Sequence, residues 1–217
     1  MSIDYTESLQ EIISMTDIWC GADASASDLV AASDMALRVK SRAVAVAPAH
    51  VHIVWAWMEG KGTEVFAVFQ DSGICDPSKL APEIHAVFKK GADGVILPWS
   101  ADIAGALLPV RDDLFFGKKL FLSAFLGNIE PYGWAEIFNI LKRVGADGIM
   151  LYAQAAKKQT DAVGRFYGML ENIDTGFSPK VSALVDSPAV MESMHRLAKR
   201  MRPDIAENLR FFIGHRA

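Results

Sequence analysis

Cysteine is scarce in this sequence. Of 217 residues only Cys20 and Cys75 are cysteines, too few for a disulfide framework in a chain of this length. Long apolar runs are also missing, and none reaches the ~18 residues a membrane span needs. There is no basic block and no acidic tail, and the net charge is −4. Bulk charge therefore argues against nucleic acid or an anionic membrane surface as a partner. The opening residues, Met1-Ser2-Ile3-Asp4-Tyr5-Thr6-Glu7, are polar and acidic, unlike a signal peptide. A cytoplasmic location is the expectation. Glycine-rich phosphate cradles are weak: the end of the chain offers Gly214 and Arg216, but Leu184-Val185-Asp186-Ser187-Pro188 brings a carboxylate and no glycine.

What the sequence has is apolar residues, 51 % of the total, enough for one sizeable domain spanning 1–217. It also has a repeat. Lys89-Lys90-Gly91-Ala92-Asp93-Gly94-Val95-Ile96-Leu97-Pro98 returns as Arg143-Val144-Gly145-Ala146-Asp147-Gly148-Ile149-Met150-Leu151-Tyr152, and the offset is 145 − 91 = 54 residues. That is two strand-plus-helix units of roughly 25–30 residues. In each copy a helix ends in basic residues, which suit the negative end of its dipole. A glycine then allows a left-handed turn, and a short Ala-Asp turn leads into an apolar strand.

Read in order, the chain alternates. Strands are predicted over 17–20, 43–47, 64–69, 94–97, 119–125, 148–151, 180–185 and 209–213. Helices are predicted over 3–15, 27–40, 50–59, 80–90, 101–116 with a break at Pro109, 131–144, 154–173 and 188–201. Short apolar strands alternating with helices predict a parallel sheet covered on both sides. The count of eight favours a single (β/α)8 TIM barrel over an open doubly wound sheet. A short helix precedes the first strand, and no full helix follows the eighth. Either the first helix plugs the barrel bottom or a neighbouring subunit covers the gap, so a homo-oligomer is expected.

In such a barrel the site lies at the C-terminal ends of the strands. Those ends read Cys20 and Asp23; Pro48, His50 and His52; Gln70 and Asp71; Pro98, Trp99 and Ser100; Ser123; Tyr152 and Gln154; Asp186 and Ser187; His215 and Arg216. This is a polar ring on an apolar body, as a small-molecule pocket requires. Ser27, Ser100, Asp186 and Ser187 also suit helix caps or turns. His50 and His52 could share a metal ion only on an extended segment, because two positions apart on a helix they diverge. No metal and no cofactor is assigned. Asp17, Asp71, Tyr152 and Asp186 are the candidates for acid–base work, with His50, Ser123, Met150, Gln154, Gly214 and Arg216 for holding a ligand.

The first half resembles the deoxyribose-phosphate aldolase family of the class I aldolase superfamily. Asp17-Ile18-Trp19-Cys20, then Asp23-Ala24-Ser25-Ala26-Ser27-Asp28-Leu29, is similar to the family's opening Asp-His-Thr-Leu-Leu and Asp-Ala-Thr-x-x-x-Ile. Ala43-Val44-Ala45-Val46-Ala47-Pro48-Ala49-His50-Val51 resembles its second strand, and the two Gly-Ala-Asp units fall where the family has them. Order and spacing match from about residue 16 to 214. The resemblance implies an aldolase barrel but departs at the catalytic positions. Met150 stands where the family keeps its Schiff-base lysine, Ile96 falls near its strand-four aspartate, and Ser182 or Ala183 near its second lysine. A Schiff base needs an amine inside the barrel. Lys119 and Lys180 begin their strands, at the opposite face. Lys157 and Lys158 lie beyond strand six.

Three functions follow as expectations. One is an aldolase-like protein that binds a small carbonyl or sugar-phosphate-like metabolite, with any lyase activity independent of a lysine. Another is a non-catalytic metabolite-binding or assembly protein. The third is a metal-assisted lyase or isomerase using His50, His52 and nearby carboxylates.

Overall fold

A computed structural model describes residues 5–69, 77–130, 133–153, 159–174 and 176–214. Eight parallel strands close into a barrel in chain order: β1 (Thr16–Trp19), β2 (Ala43–Val46), β3 (Glu64–Val68), β4 (Gly94–Pro98), β5 (Lys119–Phe125), β6 (Gly148–Tyr152), β7 (Lys180–Leu184) and β8 (Arg210–Gly214). The register, followed from Trp19 around the ring and back, returns to β1 eight positions away, at 11 rather than 19. That shear is the value for an eight-stranded barrel filled with side chains. Around it run α1 (Tyr5–Ser14), α2 (Ala26–Val39), α3 (Val51–Met58), α4 (Pro77–Lys89), α5 (Ala101–Leu107), α6 (Arg111–Leu114), α7 (Gly133–Val144), α8 (Gln159–Asn172), α9 (Pro188–Met201) and α10 (Pro203–Ala206).

The repeat is the device that joins helix to strand. Gly91 and Gly145 sit at φ +102° and +61°, where a side chain would be strained. Asp93 then clasps the preceding strand. Its backbone N–H donates to the Val65 carbonyl at 2.8 Å and its carboxylate accepts the Val65 N–H at 2.9 Å. Asp147 does the same to Leu120, at 2.8 and 2.9 Å. The last glycine of each unit makes room for an aromatic ring. Gly94 pairs with Phe66 and Gly148 with Phe121; a Cβ on Gly94 would lie 2.4 Å from the Phe66 ring, and one on Gly148 would lie 2.3 Å from the Lys180 carbonyl oxygen.

Alternation divides the apolar residues into two cores. One fills the space between strands and helices, with Ile18, Val44, Val95, Leu120 and Phe211 among its members. The other fills the barrel interior, with Trp19, Phe66, Ile96, Phe121, Met150 and Phe212 among its members. Burying a side chain of this size contributes about 1.5–3 kcal/mol.

Several local expectations shift. The cap of α2 is Ser25, not Ser27: Ser25 accepts the Asp28 N–H while the Asp28 carboxylate accepts the Ser25 N–H, a capping box. The predicted helix over 101–116 is broken as Pro109 requires, into α5, a 3-10 turn over Leu108–Val110, and α6. The four-residue α10 is an element the periodicity does not reveal. Helix α1 lies alongside α9, where Glu11 pairs with Lys199 and faces His195 at 3.8 Å. The lower barrel cavity is lined by no described residue of α1.

Candidate functional site

The strand C-termini, the upper end, meet in an aromatic layer. Tyr152 ends β6 and stacks on Phe125 of β5, with centroids 4.8 Å apart. The Trp19 ring stands edge-on to Tyr152 at 5.7 Å and to Phe212 at 6.3 Å. Trp19, Tyr152 and Phe212 are buried, while Phe125 is 45 % exposed. These rings sit together because alternate residues of each strand point inward and the register aligns Phe125 with Tyr152 and Leu184.

One layer below lies Met150, in register with Ser123 on one side and Ser182 on the other. Met150 is fully buried in the interior cluster. The Ser123 hydroxyl donates to the Leu97 carbonyl at 3.2 Å. A thioether here packs well but offers neither an amine nor a titrating proton.

Other predicted site residues are distributed more widely. His50 is the residue before α3, and its ring lies 3.1 Å from the Ala22 carbonyl oxygen. His52 is exposed in the first turn of that helix. Among the described residues, no group of three His, Cys, Asp or Glu side chains could hold a metal ion. Ser100 caps α5, accepting the Ile103 N–H at 3.1 Å. Asp186 is exposed beyond β7, and Gly214 closes β8. Asp71, Gln154 and Arg216 lie outside the described residues, as do Lys157 and Lys158. Cys20, just past β1, is buried, and burial, reinforced by the nearby Asp28 charge, pushes its thiol up to about 11. It is a protonated thiol at neutral pH, not a nucleophile.

Asp17 is at the other end of the barrel. It is 2 % exposed, and its carboxylate accepts the Arg42 and Ala43 N–H groups at 2.9 and 3.0 Å and the Ser41 hydroxyl at 3.0 Å. Arg210 completes its shell with bonds of 2.9 and 2.6 Å. The structure therefore separates Asp17 from Tyr152 and Asp186. Lys119 and Lys180 share the lower end, and Lys119 pairs with Glu64. Sequence reasoning puts Lys119 and Lys180 at this end but misses the ring they form with Glu64 and Arg210; its linear signal is that each of the four opens a strand.

No family model matches the chain, and no curated protein does. Solved structures do. An aldolase described as QR15 is 14 % identical, with a TM-score of 0.73, over 94 % of this chain and 91 % of its own. The deoxyribose phosphate aldolase from Aeropyrum pernix, a tetramer, is 11 % identical with a TM-score of 0.71, over 94 % and 86 % of the two chains. A protein from Toxoplasma gondii assigned as a deoxyribose-phosphate aldolase is 14 % identical with a TM-score of 0.73, over 97 % and 94 %.

The fold is that of the deoxyribose-phosphate aldolases. At 11–14 % identity this likeness fixes architecture and leaves chemistry to the site residues. In this aldolase-like barrel, β6 carries Met150 at the centre of its inward face.

Proposed function

We propose that this aldolase-like barrel holds a small carbonyl or sugar-phosphate-like metabolite at its upper end without forming a lysine imine. The carrying observation is Met150, fully buried among apolar interior side chains. An imine needs a deprotonated amine at the reacting carbon, and a thioether cannot supply it. Acid–base work in this proposal falls to Asp186, Asp71 and Tyr152, with His50, Ser123, Gln154, Gly214 and Arg216 around the ligand. Asp17 is left out because its carboxylate is consumed by Arg210 and the start of β2. The protein acts in the cytoplasm as a homo-oligomer; exposed Trp57 and Phe116 are apolar surface that a second copy could cover.

A second reading, binding without turnover, is favoured by the aromatic layer. Trp19 and Tyr152 cover the interior from the upper end, and Met150 and Ser123 beneath Tyr152 and Phe125 are 0 % and 5 % exposed. A ligand would then rest on the layer rather than reach the interior.

The test is thermal shift with 2-deoxyribose 5-phosphate, followed by an assay for acetaldehyde release. A true ligand at 100 times its Kd stabilises by about 2.7 kcal/mol. A shift with release supports the enzymatic reading, and a shift without release the binding reading. No shift across a panel of sugar phosphates and small aldehydes would contradict both.

A further inference from the structure

The lower end of the barrel carries a cavity that the proposal above does not use. Its volume is about 170 Å³; an engineered apolar cavity of ~150 Å³ takes up a benzene molecule. Its inner wall is mostly apolar, with Ser182 the one hydroxyl among the described lining residues. Phe66 and Phe121 meet edge to face at 5.5 Å, beside Ile96 and Phe212. Both rings reach that place because Gly94 and Gly148 lack the Cβ that would collide with them.

The rim is charged, and its charges do not cancel. Asp17 is matched by Arg210, and Glu64 by Lys119. Arg42 and Lys180 also line the cavity. Among the described residues, neither side chain has an ion-pair or hydrogen-bond partner. Two positive charges are thus left over at the mouth of an apolar hollow. A molecule that complements both features has an apolar body the size of one ring and a single anionic head.

We propose that this cavity binds a small organic carboxylate, its head on Arg42 and Lys180 and its ring-sized body against Phe66 and Phe121. A carboxylate accepts hydrogen bonds from both cations, and those bonds are charge-assisted. The body takes apolar ring surface out of water. The interior packed around Met150 separates this site from the upper end, so it stands whether or not the upper end binds a metabolite.

The experiment is a titration of the whole chain with benzoate at low ionic strength, following backbone amide shifts by NMR. Saturable binding is expected, with shifts centred on Ser182, Arg210 and Phe212. Benzyl alcohol keeps the ring without the charge, and inorganic phosphate keeps the charge without the ring; each should bind at least tenfold more weakly. The double variant Arg42→Gln, Lys180→Gln alters two exposed side chains and should weaken benzoate at least tenfold. Absence of saturable benzoate binding would overturn the proposal, as would shifts confined to the upper end. So would equal affinity for benzyl alcohol or phosphate, or an unaltered double variant. The two control ligands act on the unsubstituted protein, so the outcome does not depend on the variant folding.

Discussion

The two ends of this barrel are built by opposite means. The upper end is closed with rings: Trp19, Phe125 and Tyr152 meet at centroid distances of 4.8–5.7 Å, with buried Met150 below Tyr152 on β6. The lower end is held with charge: Asp17–Arg210 and Glu64–Lys119 pair around a cavity. Barrels of this kind keep their chemistry at the upper end and their stability at the lower. Among the described residues, the charged interior side chains are concentrated at the lower end.

Substitutions can break this comparison, and the largest effect belongs to Asp17. Its carboxylate joins β1, β2 and β8 and is the buried half of an ion pair. Asp17→Ala leaves Arg210 without its partner and should cost about 3–5 kcal/mol, read from urea unfolding; a loss below ~1 kcal/mol would remove Asp17 from the framework. Gly148→Ala comes next. Its methyl would press on the Lys180 carbonyl and the Phe121 ring, and overpacking costs about 1–3 kcal/mol. Its melting temperature should fall, whereas Gly105→Ala, with open space at the Cβ, should not destabilise. Glu64→Gln should lower stability by less than about 1 kcal/mol, because both partners of that pair are about a third exposed or more. It would sharpen the contrast with Asp17, which differs in burial rather than in kind.

The smallest effect is a pH dependence at the α9–α10 junction. Bonds from Arg202 hold the Asp204 carboxyl down at about 2, while Arg202 also caps the Ile173 and Phe177 carbonyls. A carboxyl lowered by folding stabilises above its ordinary value and stops doing so as pH falls through ~4 toward ~2. The Asp204 side chain is 44 % exposed, so the loss should stay under about 1 kcal/mol. NMR titration should find Asp204 ionised well below pH 4, and Arg202→Ala should raise its midpoint to the ordinary range.

Much of the barrel is legible in the sequence because its signals are local. The Gly-Ala-Asp-Gly units mark where helices stop and strands start. In the structure the first glycine makes the left-handed turn, the alanine spaces it from the strand, the aspartate clasps the neighbouring strand and the last glycine seats a ring. Pro109 announces its break for the same reason, since a missing N–H acts on its own helix. The site is less legible. Asp17 reads as an acid opening the first strand, yet its partner Arg210 is 193 residues away, and only the closed register brings them together. Ser27 reads as the cap of α2, but the Asp28 carboxylate reaches back to the Ser25 N–H and makes Ser25 the cap. The lower cavity escapes a linear reading because the charges opening β3, β5, β7 and β8 look like ordinary surface residues until the ring closes and aims them at one axis.

Borohydride reduction in the presence of 2-deoxyribose 5-phosphate or acetaldehyde, followed by intact mass and peptide mapping, tests directly the proposal that no lysine imine forms. The protein should keep its unmodified mass under conditions that label a lysine aldolase completely. A stable adduct on any lysine, Lys157 and Lys158 included, would mean that an amine reaches the upper end, and the account built on Met150 would be wrong.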